Sequence, residues 1–343
     1  MDARMAHLVG SLPGDSPEEA MSTALQVLGP RLRSLPDGET GDRRNWVISI
    51  VDSLRDHPDL EVVKPGDWSD YDKTPTLRIR RGHTLYGANL DFGHVAAVSD
   101  SYPVFERLRE FYDLPQLVFQ SGVPSDLDLA MFTLGPAGAL RHRRPFTEAT
   151  LAEIRGVRAI AGPATVFQIE LPVELVLLAK VPKPALPLVA GRLAAGISRL
   201  AAASPQGSQF GLHLCLGDMN NKAFGTMGDV APLVELTNAI VRRWPTDQQL
   251  SYVHAPFAAA DQPATTDAAF YAPLGGLKLP TGTRFAAGFA HEAQSLDDQL
   301  RVRSLIDEGL GHPVDIAAAC GLGRRTPESG LAVLHRTVDL LDE

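Results

Sequence analysis

The stretch Gln209–Leu216, with the sequence Q-F-G-L-H-L-C-L, is a short apolar run between two amphipathic segments. Similar runs recur along the chain, and together they predict eight strands: His7–Leu12, Arg33–Gly38, Gln116–Gly122, Ala164–Leu171, Gln209–Leu216, Gln249–Ala255, Arg284–His291 and Val314–Ala319. Segments with the apolar periodicity of an α-helix alternate with them: Pro17–Val27, Pro103–Tyr112, Thr147–Ala161, Leu188–Ala203, Ala231–Trp244, Leu296–Glu308 and Pro327–Leu341. This alternation predicts an α/β protein with the (β/α)8 architecture of a TIM barrel.

One region, residues 47–100, departs from the alternation. It contains the polar and aromatic patch Asp67–Asp72 (D-W-S-D-Y-D) and a strand-like run, Thr76–Arg81. We interpret approximately residues 47–100 as an insertion after the second strand of a single barrel domain, residues 1–343. A doubly wound open sheet is the alternative architecture. The turn Gly10–Gly14 (G-S-L-P-G), however, lacks the G-x-G-x-x-G fingerprint of dinucleotide-binding folds of that type.

The composition is that of an ordinary globular protein. Hydrophobic residues make up 44% of the 343 residues, and the formal net charge is −9. Such an apolar content is not typical of disordered chains, and an acidic chain repels nucleic-acid phosphates, so we expect no nucleic-acid partner. The N-terminus lacks the pattern of a signal peptide, no apolar run of membrane-spanning length stands out, and two cysteines rarely form a disulfide framework. We therefore expect a cytoplasmic protein with no membrane partner.

Polar residues cluster at the carboxyl ends of the predicted strands, where barrel enzymes carry their active sites. His213 and Cys215 are two positions apart in one strand, so their side chains project from the same face. Imidazole and thiolate suit Zn²⁺, and His254 and Cys320 lie at the ends of two further strands. These four residues form a candidate zinc site with His₂Cys₂ or HisCys₂ ligation. Alternatively, Cys215 is a small buried apolar residue and His213 a hydrogen-bonded core histidine.

Two glutamates at strand ends form a second candidate group. Glu39 follows the tight turn Pro36–Gly38, and Glu170 ends the otherwise apolar run Val166–Ile169. A pair of carboxylates in these places is able to hold a substrate ammonium group or to act as acid and base. Glu39 is alternatively a solvated turn residue, whereas a carboxylate in a buried strand requires a partner.

Six stretches, in chain order, resemble motifs of the catalytic barrel of the cobalamin-independent methionine synthase family. With the family's motif in parentheses, they are Val9–Pro13 (I-G-S-F-P), Pro36–Glu39 (H-G-E), Phe167–Pro172 (Q-I-D-E-P), His213–Cys215 (H-M-C), Phe289–His291 (D-I-H) and Cys320–Arg324 (C-G-L-K-T-R). The resemblance covers nearly the whole chain except residues 50–100. It implies the same barrel fold that the strand pattern predicts.

The resemblance also implies a zinc site. It assigns ligation to His213, Cys215 and Cys320, and it places His254 where the family has a glutamate as fourth ligand. A histidine there is still able to bind zinc, and the exchange makes the site one charge less negative.

Further roles follow from the same resemblance. Glu39 and Glu170 correspond to residues that hold the amino group of homocysteine, and Ser11 to a residue that contacts the same amino acid. His291 corresponds to the proposed proton donor or shuttle. Glu170 stands where the family has an aspartate, and Leu171 where it has an acidic residue, so the substrates of the two need not be the same.

The function implied is a zinc-dependent methyl or alkyl transferase that acts on a homocysteine-like thiol, as in methionine biosynthesis. Its partners are then a small-molecule thiol and a methyl or alkyl donor, and a homodimer is compatible with it. Two alternatives remain open. One is a metal-free lyase or decarboxylase, because the resemblance extends weakly to uroporphyrinogen decarboxylase, which uses no zinc. The other is a non-catalytic barrel that binds a small molecule.

Overall fold

The computed structural model describes residues 3–343 and contains a barrel of parallel strands. The strands are β1 (Ala6–His7), β2 (Ser34–Pro36), β3 (Leu60–Lys64), β4 (Thr76–Ile79), β5 (Val118–Pro124), β6 (Val166–Leu171), β7 (Gln209–Leu214), β8 (Gln249–Pro256), β9 (Arg284–Ala290) and β10 (Asp315–Ala318). Eight of them form one sheet in the order β1, β10, β9, β8, β7, β6, β5, β2. A parallel bridge from Ala6 to Leu32, just before β2, leaves the sheet nearly closed, which confirms the predicted barrel over the open sheet.

Helices follow the strands and surround the sheet. They are α1 (Pro17–Leu28), α2 (Trp46–Ser53), α3 (His94–Phe111), α4 (Asp126–Ala161), α5 (Pro172–Ala179), α6 (Leu186–Ala203), α7 (Ala231–Val241), α8 (Ala268–Tyr271), α9 (Leu296–Leu310) and α10 (Pro327–Asp342). Ser16, Ser125, Ser295 and Thr326 each cap a helix, because the side-chain oxygen accepts a hydrogen bond from a backbone N–H of the first turn.

Two helices are longer than the sequence predicted. Helix α3 begins nine residues before Pro103, and α4 begins at Asp126 rather than at Thr147. Because proline is favoured in the first turn of a helix, the sequence predicted a helix that begins at Pro103, whereas Pro103 lies inside α3. Helix α4 is interrupted where Gly135 (φ 67°) and His142 leave the helical conformation, and these breaks disturb the apolar periodicity of its first half.

The segment between β2 and α3 packs as a separate layer against α4. It contains α2 and the antiparallel pair β3–β4, and its apolar side chains form their own cluster. Ile50, Leu77 and Phe92 of this segment are buried together with Leu134 of α4. The main core instead lies between the barrel strands and the surrounding helices. The segment is thus supported by α4 and extends over one side of the barrel.

One stretch, residues 183–203, corrects the expectation that no apolar run has membrane-spanning length. Its most apolar 18-residue window has a mean hydropathy of 1.2, and 44% of that window is buried. By length and composition it is the one helix of the described residues that could cross a membrane, and the core helix of a soluble protein passes the same test. In this structure α6 packs against α7 on the outside of the barrel.

A row of hydrogen-bonded polar side chains runs through the interior of the barrel to the candidate site. The Tyr252 hydroxyl donates a hydrogen bond to Oε1 of Gln168 (3.0 Å), and Nε2 of Gln168 donates to Oε1 of Glu170 (2.7 Å). Gly211 on β7 makes room for this arrangement, because a Cβ atom there would lie 2.0 Å from Cζ of Tyr252. The tyrosine ring therefore fills the space that a larger residue on β7 would require.

We predict that Gly211→Ala destabilises the protein by about 1–3 kcal/mol, the usual effect of overpacking a core. The added methyl group must displace the Tyr252 ring or the strand itself. Urea denaturation gives the free energy of unfolding. Gly228→Ala is the control, because a Cβ atom at Gly228 meets no atom within 4 Å. Equal unfolding free energies for the two variants would contradict the packing described.

Candidate metal centre

Strand register brings three of the predicted site residues to one level. In the parallel pairing of β6, β7 and β8, Glu170 pairs with His213, and His213 pairs with His254. All three side chains are buried at the carboxyl ends of their strands. Neighbouring residues at the same level of a parallel sheet lie one strand spacing apart, about 4.8 Å, so their side chains are in reach of one another.

The two cysteines of the chain meet beside this row. Sγ of Cys215 lies 3.6 Å from Sγ of Cys320, and Sγ of Cys320 lies 3.7 Å from Nε2 of His213. One ligand atom from each of the three residues falls within 4.8 Å of the other two. Two thiols and one imidazole are donors that Zn²⁺ favours, and zinc sites with three protein ligands leave a position for substrate. The donor set therefore fits a zinc ion.

Hydrogen bonds determine which nitrogen of His213 is free for a metal. The Ala318 carbonyl, 2.9 Å from Nε2 of His254, can only accept, so Nε2 of His254 carries the proton. Burial lowers the pKa of His254 to about 4, so the ring is neutral and its Nδ1 is an acceptor. That Nδ1 lies 2.7 Å from Nδ1 of His213, which must then be the donor. Nε2 of His213 keeps its lone pair and faces the cysteines.

His254 is the residue that the resemblance suggests as the fourth zinc ligand. Both of its ring nitrogens are engaged, one with His213 and one with the backbone of β10. It is not part of the group of three ligand atoms. A neutral imidazole that bonds to a metal-binding histidine fixes the tautomer and the orientation of that ligand.

A buried ion pair, which the sequence analysis missed, adjoins the cysteines. Nε and Nη2 of Arg324 each lie 3.1 Å from Oδ2 of Asp218, and Nη2 also lies 3.1 Å from Sγ of Cys320. Arg324 enters the sequence analysis only as the last residue of the stretch Cys320–Arg324. Asp218 follows Cys215 by three residues, and this proximity was the available signal for it.

The two glutamates face each other across a glycine. A Cβ atom on Gly122 would lie 2.8 Å from Oε1 of Glu39 and 3.2 Å from Oε1 of Glu170. A Cβ atom on Gly10 would lie 2.8 Å from both carboxyl oxygens of Glu39. Burial raises the pKa of Glu39 to about 7. Burial, and then the neighbouring Glu39 carboxyl, raise the pKa of Glu170 well above its usual value. Two such carboxyls favour a cation between them.

The turn that carries Glu39 is rigid. Glu39 has a left-handed backbone (φ 43°), and its N–H donates to Oδ1 of Asp37 (3.0 Å). The Arg43 guanidinium donates to both oxygens of Asp37, at 2.8 and 3.1 Å, and the Ser101 hydroxyl donates to Oδ2 (2.9 Å). These contacts hold the backbone at Glu39 against the strain of its conformation. Glu39 is therefore a partly buried carboxyl on a well-bonded turn and not a fully solvated turn residue.

Ser11 lies between the two halves of the site. Its backbone N–H donates to the Glu39 carboxyl, and its hydroxyl contacts Nη1 of Arg324 (3.3 Å) and accepts from the N–H of Gly323 (3.3 Å). Its side chain is fully buried, so it links these groups to one another.

His291 lies apart from the sulfur atoms. Its Nε2 donates to the Ala260 carbonyl (3.1 Å), and its Nδ1 accepts from the N–H of Ala293 (3.1 Å). It is not among the described residues that line the two cavities at the carboxyl end of the barrel. Both ring nitrogens are thus hydrogen-bonded to backbone groups.

Two adjoining cavities open at this end of the barrel. The first, which we call the thiol cavity, contains Cys215, Cys320, Asp218 and Arg324. The second, the carboxylate cavity, has a polar lining that includes Glu39, Arg43 and His94. Trp46 and Glu170 line both. The site is thus divided into two compartments that share a wall.

The segment between β2 and α3 forms one wall of the thiol cavity. Trp46, Val47, Ile48 and Tyr71 of this segment line it, opposite Phe132, Met219 and Phe224. The Tyr71 hydroxyl accepts from the N–H of Met219 (2.8 Å) and donates to the Lys222 carbonyl (3.1 Å). These bonds attach the segment to the loop after β7, so the cavity has an apolar, aromatic upper part over a polar floor.

Comparisons with known proteins agree with this fold. No protein-family model matches the sequence, and no curated protein is similar to it. The solved structures that are similar over nearly their whole length include the following three. A B12-independent methionine synthase from Shewanella sp. W3-18-1, in complex with selenomethionine, has a TM-score of 0.61 at 11% identity, and the match covers 99% of this chain and 97% of that one.

The second is a methyltransferase from Methanosarcina mazei, with a TM-score of 0.59 at 14% identity, 100% of this chain and 94% of that chain being covered. The third is a putative vitamin-B12 independent methionine synthase from Listeria monocytogenes, with a TM-score of 0.58 at 12% identity and coverage of 100% and 98%. The structural neighbours are therefore methionine synthase-like and methyltransferase barrels, and this chain shares their fold from end to end.

Proposed function

We propose that this protein is a zinc-dependent transferase that moves a methyl or alkyl group to the sulfur of a homocysteine-like thiol. The observation that carries this proposal is the meeting of two thiols and one free imidazole nitrogen beside two carboxyls that face each other. The similarity in fold to methionine synthase-like and methyltransferase structures supports it. We further propose that residues 47–100 are an insertion in a single barrel domain, and that the protein is cytoplasmic.

His213, Cys215 and Cys320 would hold the zinc ion. When bound, zinc keeps an acceptor thiol deprotonated at neutral pH and so supplies a nucleophile. Arg324 lies against Cys320, where its charge stabilises a thiolate. His254 is assigned to orienting His213 rather than to ligation, because its two nitrogens are already bonded.

The carboxylate cavity would bind the amino-acid end of the acceptor. Glu39 and Glu170 face each other there and would accept hydrogen bonds from a substrate ammonium group, and Ser11 holds Glu39 in place. Glu170 also lines the thiol cavity, so an acceptor held by its amino group extends past Glu170 toward the two cysteines. The Shewanella structure is a complex with selenomethionine, which resembles homocysteine with a methyl group added and selenium in place of sulfur.

We do not assign a proton transfer to His291. Its ring nitrogens are bonded to the Ala260 carbonyl and the Ala293 N–H, and it lies outside the lining of both cavities within the described residues. The proton-donor role that the resemblance implied therefore lacks support from the geometry.

We predict that the purified protein contains about one zinc ion per chain, as expected for a site of this donor set. His213→Gln and Cys320→Ser each remove a ligand and should reduce zinc to below about one tenth of that content at equal free metal. Elemental analysis after dialysis measures it. His291→Gln, a buried histidine outside the donor group, is the matched control and should retain zinc. A folded protein that takes up no zinc would favour the metal-free lyase or the binding barrel instead.

The role of His254 leads to a separate prediction. X-ray absorption of the zinc-loaded protein should show two sulfur ligands and one imidazole. His254→Ala should keep this ligand set but lower zinc affinity by about 10–100-fold, the usual effect of removing a group that orients a metal ligand. Two imidazoles in the spectrum of the wild type would mean that His254 is a ligand after all.

The acceptor site is tested with a pair of thiols that differ only in the amino group. We predict that Glu39→Gln lowers kcat/KM for homocysteine by about 10–100-fold, because one charged hydrogen bond contributes about 1.5–3 kcal/mol. The same variant should leave kcat/KM for 4-mercaptobutanoate nearly unchanged. Glu148→Gln, on the outer surface of α4, is the control. An equal loss with both thiols would show that Glu39 does not bind the amino group.

A further inference from the structure

We propose that the methyl donor of this protein is a small cationic onium compound, a sulfonium or quaternary ammonium, which binds in the thiol cavity. This inference rests on the proposed transfer to a thiol and names the class of its second substrate. It depends on three features of the thiol cavity: its aromatic wall, a carboxylate oxygen without a partner in residues 3–343, and the lack of a free proton donor among the same residues.

The upper part of the thiol cavity is built from aromatic rings. Trp46, Tyr71, Phe132 and Phe224 all line it. Tyr71 stacks on Phe224 with 4.5 Å between the ring centroids, and Phe132 lies 6.2 Å from Phe224. Nζ of Lys180 lies 5.2 Å from the Phe224 ring centroid, so the Phe224 ring already contacts a cation of the protein, and the rings of the lining that remain for a ligand are those of Trp46, Tyr71 and Phe132. Rings of this kind attract cations through their negative faces and are the usual binding site for quaternary ammonium groups.

Asp218 supplies a negative charge beside this wall. Its Oδ2 is bound by Arg324, but its Oδ1 is buried and has no hydrogen-bond partner among the described residues. A buried carboxylate oxygen without a partner is unfavourable unless a ligand compensates it. The ionisable side chains of the lining, apart from the cysteines and Tyr71, are two carboxyls, Glu170 and Asp218, and one guanidinium, Arg324. Because Glu170 is assigned to the acceptor's ammonium group and Arg324 is bonded to Oδ2 of Asp218, Oδ1 of Asp218 is the carboxylate oxygen of this lining that remains for a cationic ligand.

The groups that could protonate a leaving group are otherwise engaged. The Tyr71 hydroxyl donates to the Lys222 carbonyl, and Asp218 is ion-paired with Arg324. Glu170 is assigned to the amino group of the acceptor, and His291 lies outside the cavity. A neutral amine donor would leave as an anion and would need a proton. An onium donor needs none, because its leaving group departs uncharged.

The transfer is balanced without any further reactant. The acceptor thiolate forms a bond from its sulfur to the methyl carbon, while the bond from that carbon to the onium atom breaks. The bonding electron pair stays on the onium atom, which leaves as a neutral thioether or tertiary amine. One negative and one positive charge give two neutral products. The thiol cavity adjoins the carboxylate cavity at Trp46 and Glu170, so the donor and the acceptor would meet beside these two residues.

Binding to the zinc-loaded protein tests the charge requirement. Choline and 3,3-dimethylbutan-1-ol have the same shape, but only choline is charged. We expect calorimetry to show choline binding at least about tenfold more tightly, as cation–π contacts in a desolvated site allow. Asp218→Asn should reduce this preference to within about threefold, whereas Asp229→Asn, at the surface pair with Lys183, should preserve it. Equal binding of the two probes by the wild type would overturn the inference.

Two further measurements keep the test decisive. Phe132→Leu removes one aromatic face without touching the Asp218–Arg324 pair, and it should also reduce the preference for choline if Asp218→Asn does not fold. Methyl transfer to homocysteine is then compared for methionine methylsulfonium, 5-methyltetrahydrofolate and methylcobalamin, and we expect the sulfonium to be the fastest donor. Faster transfer from either other donor would overturn this inference but leave the proposed function standing. No transfer from any of them would overturn both.

Discussion

The hydrogen bond between His213 and His254 is the interaction on which the candidate site depends. It is anchored at the far end by the Ala318 carbonyl of β10, so a chain of contacts runs from β10 through β8 to β7. The direction of this chain leaves one nitrogen of His213 free beside the two cysteines. Gly288 on β9 permits it, because a Cβ atom there would lie 2.7 Å from Nε2 of His254 and 2.9 Å from the Ala318 oxygen.

Glycines serve the carboxyl half of the site in a similar way. Gly10 on the loop after β1 and Gly122 on β5 lie against the carboxyl group of Glu39, and Gly122 also approaches Glu170. Glu170 is buried and Glu39 is partly buried, and without a cation the repulsion and the loss of hydration are relieved by protonation. The same arrangement makes them selective for a positively charged group. The pair of carboxyls at the barrel mouth is thus suited to bind a cation, because the cation removes the repulsion between the two carboxylates.

The mouth of the barrel is divided into two cavities, as the proposed transfer between two substrates requires. Trp46 and Glu170 belong to both walls, so a molecule held in one cavity reaches the other only beside them. Much of the aromatic surface comes from the segment between β2 and α3, which is joined to the loop after β7 by the Tyr71 hydroxyl. The barrel therefore provides the polar groups, and the segment between β2 and α3 contributes much of the aromatic lining of the thiol cavity.

The barrel was predictable because alternating apolar runs are a local property. Each strand of a parallel barrel is buried on both faces, and this requirement appears directly in runs such as Gln209–Leu216. Helices were less predictable where Pro103 lies within α3 and Gly135 interrupts α4, since a local signal there conflicts with the packing that decides the outcome.

Sequence order alone also placed His213, Cys215, Cys320, Glu39 and Glu170 at strand ends on one side of the barrel. It could not decide what each polar group contacts, because hydrogen-bond partners come from strands and loops that are far apart in the chain. Three such contacts could not be predicted. They are the hydrogen bonds at both nitrogens of His254, the ion pair of Asp218 with Arg324, and the backbone contacts that hold His291 outside the lining of the two cavities. Only the register and closure of the barrel determine them, since these set which side chains lie within about 3 Å of one another.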